Sequence, residues 1–342
     1  MSTNPLIKDP GRLLRYRDSI YASDLLICAV VYLDFFTFLH NCPMTFDQIC
    51  KNFETAQRPT NVMLSLFLAM ELIEKTGRQY KPTDISSEYL VSDSTMSLVP
   101  YYASLKNRPQ CREFHDVLKT GRPAGWSSRN CSTNWIESME NAKFADVFTS
   151  AMDSRGAFLA RRLAEKIDLS GHSSFLDVAG GSGIYACSIS HKYKHLTAAV
   201  LETPPVDAAA RRSIESKGMS DRVNVIAGNM FNTIPKHYDV HLFANVFHDW
   251  DVDSVQKLAE NSFASLRSHG SIVVFDSHLN KDKNGPLSVA EYSCLLMHST
   301  EGRCYSTGEI DEILQEVGFS NISVALIAAD RTMIIGNKNR TG

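Results

Sequence analysis

A short apolar run ends in a carboxylate and a glycine-rich turn at Phe175–Gly183, with Asp177 as the carboxylate and glycines at 180, 181 and 183. This order predicts a buried strand, a turn where a ligand can approach the backbone, and a helix that begins at Ile184. The stretch also fits a dinucleotide-binding turn, with Glu202 placed to bind a ribose. Asp177 favours a different ligand, because a carboxylate beside the turn repels phosphate and attracts a cation.

One histidine of the chain could act as a base: His248 lies in the segment Phe247–Asp251, a few residues after a predicted strand at 238–244, and Asp249 and Asp251 follow it. An imidazole titrates near neutral pH and can take a proton from a phenol, which has a pKa of about 10 and is mostly neutral at pH 7. The chain has 11 histidines, and a single histidine is more often structural than catalytic. Asp251 is predicted to cap the helix that follows.

The C-terminal half contains short apolar strands that alternate with helices. The predicted strands are 174–178, 197–202, 222–227, 238–244 and 270–276, followed by a hairpin at 322–328 and 332–335. Such alternation predicts a parallel sheet covered on both faces, with ligands bound beyond the carboxyl ends of the strands. Asp177, Glu202 and Asn229 all fall at such ends.

The N-terminal segment is predicted to be helical at 12–40, with a capping box at Thr45–Gln48, a helix at Asn61–Ile73 and a hairpin turn at Gly77. Helix, helix and hairpin together are typical of a winged helix, so a DNA-binding regulator has to be considered. Residues 44–92 contain five basic and six acidic side chains, a charge that opposes binding to phosphates.

The composition is that of a two-domain enzyme of 342 residues with a net charge of −3, which gives no attraction to nucleic acid or an anionic membrane. The segment 20–39 is apolar, but Asp24 and Asp34 interrupt it, which favours buried helices over a membrane span. No secretory signal is visible at the start. The eight cysteines lack metal-site spacing and fit a reducing cytosol, so we expect a cytoplasmic protein without a metal.

Five motifs follow one another in the order and at the spacing of a known family: Asp177–Gly183, Leu201–Glu202, Gly228–Phe231, Asn245–Asp251, and a tail from Gly302 through Glu309 to Phe319. In these motifs the chain resembles the class I methyltransferases, and more narrowly the plant and microbial small-molecule O-methyltransferases similar to those of caffeate and hydroxyindoles. The resemblance implies an α/β fold with a Rossmann-like sheet of seven strands. It also implies a winged-helix dimerisation domain at 1–100, a helical connector lining the substrate pocket at 101–170, and a catalytic domain at 171–342.

The cofactor implied by the resemblance is S-adenosylmethionine, which carries an ammonium and a sulfonium but no phosphate and so agrees with Asp177. Its expected contacts are Asp177, Ala179, Gly181, Gly183, Glu202, Asn229, Met230 and Asn245. Asn229 stands where the family usually has an acidic residue for the adenine, and Ala179 replaces a common glycine.

The acceptor site implied by the resemblance has His248 as the general base. Its expected lining is Phe148, Met152, Asp249, Met297 and Cys304. Cys304 occupies the position where the family has an acid that orients the histidine. Three explanations stay open: a weaker histidine base, another orienting acid such as Glu301 or Glu291, or a reaction that needs no strong base. His278 and His298 lie in the same half of the chain and are not ranked.

The predicted function is O-methylation of a small, aromatic secondary metabolite by a homodimer. One alternative is a relative that methylates carbon or nitrogen, or that binds the cofactor without transferring its methyl group. A second alternative is an NAD-dependent oxidoreductase, which Asp177 and the His248 segment disfavour.

Overall fold

The computed structural model describes residues 8–124 and 142–339. The chain forms two compact units, one of Met1–Leu14, Asn130–His278 and Thr307–Gly342 and the other of Arg15–Arg129 and Leu279–Ser306. The second unit therefore combines N-terminal residues with a later segment. The domain boundaries at 100 and 170 stay a prediction.

The first unit is built around a seven-stranded sheet in the order β6-β5-β4-β7-β8-β10-β9. Its strands are β4 (Ser174–Val178), β5 (Thr197–Glu202), β6 (Val223–Ala227), β7 (Val240–Ala244), β8 (Ser271–Asp276), β9 (Phe319–Ala328) and β10 (Arg331–Lys338). Strands β4 to β8 pair in parallel, whereas β10 is antiparallel to both β8 and β9. The predicted α/β fold with seven strands is confirmed, and the C-terminal hairpin begins earlier and ends later than predicted.

The helices of this unit cover the sheet and explain the apolar strands. They are α9 (Ala142–Lys166), α10 (Ile184–Lys192), α11 (Val206–Ser216), α12 (Val252–Ser265) and α14 (Thr307–Val317). Every residue of β4, β7 and β8 is buried, as expected for central strands covered on both faces. Because these strands are parallel and adjacent, their carboxyl ends meet at one edge of the sheet.

The second unit is mainly helical. Its elements are α2 (Ala22–Val31), α3 (Phe35–Asn41), β1 (Met44–Thr45), α4 (Phe46–Asn52), α5 (Gln57–Ala69), β2 (Ile73–Thr76), β3 (Gln79–Pro82), α6 (Asp84–Tyr89), α7 (Val99–Ala103), α8 (Pro109–Thr120) and α13 (Leu287–Ser299). Helix α1 (Gly11–Asp18) has residues in both units. The predicted capping box is present, since Thr45 Oγ1 accepts from Gln48 N at 3.4 Å and Gln48 Oε1 accepts from Thr45 N at 2.8 Å.

The apolar segment at 20–39 forms two helices, α2 and α3, and α1 precedes them. Asp34 takes a left-handed backbone conformation (φ 47°) between α2 and α3. Among the described residues no single helix is long and apolar enough to cross a membrane. Gly11–Val31 and Phe35–Asn41 have the length and composition of a span only when taken together, and they are bent by 57° relative to each other. Most side chains of α2 are buried in the core of the unit, which also contains α13 residues such as Met297.

Candidate active site

The glycine turn joins β4 to α10 and has one open position. A Cβ on Gly180 would lie 2.5 Å from Asp177 Cγ, and one on Gly183 would lie 2.9 Å from Ile214 Cδ1. A Cβ on Gly181 would meet no atom of the described residues within 4 Å, although its φ of +57° is left-handed. Glycine is thus required at 180 and 183 by the protein itself, whereas Gly181 leaves backbone accessible to a ligand.

Asp177 is wholly buried at the end of β4. Its Oδ2 accepts from Ala186 N at 3.2 Å, and its Oδ1 has no hydrogen-bond partner among the described residues. Burial raises the pKa of Asp177 to about 7, an increase that the Ala186 N–H opposes and Glu202 reinforces. An unsatisfied buried carboxylate oxygen favours a ligand with N–H donors and positive charge.

Glu202 ends β5, the strand next to β4, and is partly exposed. Its Oε2 accepts from Thr203 N at 2.9 Å. Burial raises its pKa to about 7, while hydrogen bonds from the Thr203 and Gly181 N–H groups act in the opposite direction. Ala179, also left-handed (φ 54°), donates its N–H to Leu201 O at 2.9 Å and ties the turn to this strand.

The predicted adenine contacts follow β6. Asn229 is exposed, and its Oδ1 accepts from Phe231 N at 2.8 Å, so the amide oxygen is already engaged in a local turn. An amide oxygen has two lone pairs and can accept a second hydrogen bond from a ligand. Met230 is buried, and its carbonyl oxygen accepts from Asn261 Nδ2 at 3.1 Å.

His248 lies in a 3₁₀ turn, Phe247–Asp249, just beyond the end of β7, and is 3% exposed. Its Nδ1 is hydrogen-bonded to Oδ1 of Asp276, the last residue of β8, and its backbone N–H donates to Asp276 Oδ2 at 3.3 Å. Ser277 N also donates to Asp276 Oδ1, at 2.8 Å. The Asp251 cap is confirmed, since Asp251 Oδ1 accepts from Ser254 N at 2.8 Å.

Asp276 is thus the orienting acid that sequence reasoning missed. Glu291, one of the two candidates, instead forms a double ion pair with Arg15, with an Nε–Oε2 distance of 2.7 Å. A signal was present in the sequence, because Asp276 is a carboxylate at the end of the apolar predicted strand 270–276, much as Asp177 is next to last in 174–178. Burial alone would raise the pKa of Asp276, but the His248 imidazole outweighs it and lowers that pKa.

A second carboxylate lies on the other side of the imidazole. Asp249 Oδ1 is 3.6 Å from His248 Nε2, too far for a hydrogen bond. Burial raises the pKa of Asp249 to about 6, against the attraction of His248. Because an ionised Asp276 accepts from Nδ1–H, the neutral imidazole has its basic lone pair on Nε2, the nitrogen that can act as a base.

Two polar residues complete this edge of the sheet. Asn245 follows β7 with a left-handed φ of 56°, and its Nδ2 donates to Tyr185 Oη at 2.9 Å. Arg155 in α9 opposes the rise in pKa that burial causes at both Tyr185 and Asp249. The sequence signal for Arg155 is weak, a basic residue one helical turn after Met152.

The remaining predicted acceptor residues are divided between the units. Met152 lies partly buried in α9, and Phe148 lies in the same helix, with its side chain outside the described residues. Met297 and Cys304 belong to the second unit and are buried there, and Cys304 N donates to Ser293 Oγ at 3.1 Å. Their position relative to His248 stays a prediction.

The segment that carries Met297 and Cys304 is held by one arginine from α5. Arg58 donates Nη1 to the carbonyl oxygens of Met297, Thr300 and Gly302 at 2.9 to 3.1 Å. These carbonyl groups follow or end α13, where a cation is favourable for the helix dipole. Guanidinium contacts of this kind fix the path of the chain towards Cys304.

The unranked histidines differ in environment. His278 is buried directly after β8, and burial lowers its pKa to about 4, so it is neutral at pH 7. His298 is buried in the second unit, where its Nε2 is 2.8 Å from Glu113 Oε2 and its ring stacks on Tyr21. No cluster of three or more histidine, cysteine or acidic side chains suited to a metal occurs in 8–124 and 142–339.

Comparison with known proteins identifies related sequences. The model of the O-methyltransferase domain family matches residues 112–320. A 3-hydroxy-5-methyl-1-naphthoate 3-O-methyltransferase from Streptomyces sahachiroi is 26% identical over 292 residues, covering 81% of both chains. The 8-O-methyltransferase of tetracenomycin polyketide synthesis from Streptomyces glaucescens is 24% identical over 99% of this chain and 100% of its own. An L-tyrosine C(3)-methyltransferase from Streptomyces lavendulae is 25% identical over 85% of this chain and 82% of its own.

Solved structures show the same fold. An O-methyltransferase family 2 protein from Planctomyces limnophilus, in complex with apigenin, superposes with a TM-score of 0.88 at 26% identity, covering 97% of this chain and 96% of that one. Human N-acetylserotonin methyltransferase, in complex with S-adenosylmethionine, gives a TM-score of 0.61 at 22% identity, covering 99% of this chain and all of that one.

Proposed function

The chain belongs to the O-methyltransferase domain family, and from this premise we propose that it methylates a hydroxyl group of a small aromatic metabolite with His248 as the general base. The enzyme uses S-adenosylmethionine, the cofactor of the family. The observation that carries the catalytic part is the hydrogen bond between His248 Nδ1 and buried Asp276. This bond leaves Nε2 as the nitrogen able to accept a proton.

The residues of the first unit fit S-adenosylmethionine. The unpartnered Asp177 Oδ1 suits the cofactor's ammonium, and Glu202 offers carboxylate oxygens to the two ribose hydroxyls. Open backbone at Gly181 allows close approach, and Asn229 with Met230 follows β6 on the adenine side. When bound, the cofactor supplies an electrophilic methyl group. Ala179, Gly183 and Asn245 are further proposed contacts, because the first two lie in the same turn and Asn245 follows β7 at the same edge of the sheet.

The protein's own part in the reaction is to accept a proton. His248 Nε2 takes the proton of the acceptor hydroxyl as that oxygen becomes nucleophilic. Asp276 then stabilises the imidazolium, because its carboxylate is ionised and bonded to the opposite ring nitrogen. Asp249 at 3.6 Å adds favourable charge and lies where it can contact the acceptor.

For the acceptor we propose a phenol. The naphthoate relative methylates an aromatic hydroxyl, and the Planctomyces limnophilus protein binds apigenin, a polyphenol. Phe148, Met152, Met297 and Cys304 are the proposed apolar lining, with Arg58 shaping the segment that carries the last two. Apigenin and hydroxynaphthoates are therefore the first acceptors to assay.

The test is His248→Ala with methyl-labelled S-adenosylmethionine and the best phenol of that screen. Turnover should fall about a hundredfold or more, while the Kd of S-adenosylhomocysteine measured by calorimetry stays within about twofold. His195→Ala, which changes an exposed histidine of the same unit, is the matched control and should leave both values unchanged. Unchanged turnover in His248→Ala would refute the role of the base.

Methylation of carbon is the second candidate, because the L-tyrosine C(3)-methyltransferase covers most of the chain at 25% identity. Both reactions need a base near a phenol, so the site alone favours neither. Carbon-13 NMR of the product distinguishes them, since a methoxy carbon and an aryl methyl carbon resonate far apart.

We also propose that the protein is a cytoplasmic homodimer, with residues 1–100, most of which lie in the second unit, as a winged-helix dimerisation module. The α4, α5 and β2–β3 order supports the module, and several large apolar side chains of this unit are exposed, including Tyr16, Ile20, Met96 and Tyr101. The seven described cysteines are free thiols, as in a reducing compartment. Light scattering should give about twice 38.1 kDa, and a monomer at micromolar concentration would contradict the dimer.

A further inference from the structure

Tyr185 and Asn245 form a buried polar pair at the carboxyl edge of the sheet. Tyr185 lies in the first turn of α10, two residues after the glycine turn, and is 6% exposed. Its hydroxyl oxygen accepts a hydrogen bond from Asn245 Nδ2 at 2.9 Å. The pair therefore connects the helix that begins at the glycine turn to the end of β7.

Both partners are held from other directions. The backbone N–H of Asn245 donates to Phe275 O at 2.9 Å, with the residue in a left-handed conformation. The Tyr185 ring packs edge-on against the Phe275 ring, with centroids 5.8 Å apart. Burial raises the pKa of Tyr185 to about 12, so the phenol stays neutral at any pH the enzyme tolerates. The amide nitrogen is thus directed to Tyr185, and the amide oxygen faces another direction.

That oxygen, Asn245 Oδ1, is buried and has no hydrogen-bond partner in the described part of the chain. A buried acceptor without a hydrogen bond is unfavourable, so a ligand donor at this point is favourable. Asp177 Oδ1 is a second unpartnered acceptor, at the end of the adjacent strand β4. Strands β4 and β7 pair in parallel with Asp177 opposite Leu242, so Asp177 and Asn245 lie at the same edge of the sheet. An ammonium with three N–H donors could satisfy both oxygens.

We propose that Tyr185 is a positioning residue for the cofactor, holding the Asn245 amide so that Oδ1 accepts a hydrogen bond from the α-ammonium of S-adenosylmethionine. The inference rests on the proposed cofactor contacts and adds a residue that they do not include. Tyr185 does not touch the cofactor in this scheme. Because a phenol can donate as well as accept, the ammonium selects Oδ1 as the end that faces it, and the Tyr185 hydroxyl then anchors the Nδ2 end.

The experiment measures the affinity of two probes by calorimetry at pH 8. S-adenosylhomocysteine has the ammonium, whereas 5′-deoxy-5′-methylthioadenosine has the same nucleoside and thioether without it. Tyr185→Phe removes only the hydroxyl and keeps the ring against Phe275. Its affinity for S-adenosylhomocysteine should weaken about threefold to tenfold, the value of one net hydrogen bond, and its affinity for methylthioadenosine should not change.

Two variants at Asn245 test the direction of the amide. Asn245→Gly keeps the left-handed backbone and removes the amide, so Tyr185→Phe should have no further effect in that background. Asn245→Asp replaces the nitrogen with oxygen, which Tyr185 can then donate to, and leaves an acceptor towards the ammonium. Its affinity for S-adenosylhomocysteine should be retained or increased.

The inference is overturned if Tyr185→Phe weakens both probes equally, if the effects of Tyr185→Phe and Asn245→Gly add, or if Asn245→Asp loses S-adenosylhomocysteine. Should Tyr185→Phe fail to fold, the two Asn245 variants with both probes still decide whether the amide oxygen faces the ammonium. Failure of the proposed function is a separate result: without a cofactor site the unmodified protein would not bind S-adenosylhomocysteine at all, and with another reaction it would bind S-adenosylhomocysteine but not form a methoxy product.

Discussion

Replacing Asp276 with asparagine tests the catalytic pair most directly. The Asp276 carboxylate accepts from His248 Nδ1, from His248 N at 3.3 Å and from Ser277 N at 2.8 Å. Asparagine has nearly the same size but one acceptor oxygen and an NH₂ group. If the asparagine oxygen still accepts from His248 Nδ1, its NH₂ group faces the His248 backbone N–H, and two donors then oppose each other. If its NH₂ faces the imidazole, Nδ1 must lose its proton and Nε2 must carry it, the wrong tautomer for a base.

The expected loss follows from what the base contributes. General-base catalysis is worth about 10²- to 10⁴-fold, and a variant that disables the base can lose no more than that. We therefore expect kcat for Asp276→Asn to fall about 10²- to 10⁴-fold, equivalent to about 3 to 5 kcal/mol of transition-state stabilisation. The Kd of S-adenosylhomocysteine should change less than about threefold, because the proposed contacts to this ligand are made by other residues.

The assay combines initial rates of methyl transfer to a phenol with calorimetry of S-adenosylhomocysteine. Asp249→Asn is the matched control, since this carboxylate is 3.6 Å from the imidazole and forms no hydrogen bond with it, so its effect on kcat should be smaller. Combining Asp276→Asn with His248→Ala should cost little beyond His248→Ala alone. An Asp276→Asn enzyme with kcat within threefold of the unmodified value, or a double variant with additive losses, would refute the reasoning.

Three further changes have defined outcomes. The pKa values of Asp177 and Glu202 are about 7 without ligand, and their ionised forms should bind the ligand better. Affinity for S-adenosylhomocysteine should therefore fall as the pH is lowered from 8 to 6, and calorimetry in two buffers should detect protons released on binding near pH 7. An affinity that does not change with pH would contradict this prediction. Gly181→Ala should weaken cofactor binding and lower the unfolding temperature moderately, because its φ of +57° strains an alanine. Gly180→Ala should lower the unfolding temperature more, because its Cβ collides with a buried carboxyl group; the reverse order would contradict the geometry. Burial raises the pKa of Asp239, but hydrogen bonds, led by those from Ser173, outweigh burial and lower that pKa to about 2. Asp239→Asn should therefore reduce the free energy of unfolding at pH 7, and chemical denaturation should show the difference between the two proteins narrowing as the pH falls from 4 to 2. A difference that does not change with pH would exclude the charge as the cause.

The sequence by itself determined the elements and the ligand end of the sheet. Runs such as Phe175–Val178 have the length and composition of strands buried on both faces, and they were found within two residues of the predicted bounds. The turn at 180–183 was also predictable from its own residues, because glycine tolerates a left-handed backbone and close contact with Asp177. Asp251 as a helix cap was predictable for the same reason, since a cap bonds within three residues of itself.

Only the tertiary structure decided which of these residues meet. His248 and Asp276 are 28 residues apart and are joined because β7 and β8 are neighbours in the sheet, a pairing that local periodicity does not encode. Tyr185 and Asn245 are 60 residues apart and meet through the order of β4 and β7. Glu291 was a reasonable partner for His248 by residue type, but folding pairs it with Arg15, 276 residues away. Patterns along the chain report the period and burial of one element, whereas partners depend on strand order and helix packing, which arise from contacts between distant segments.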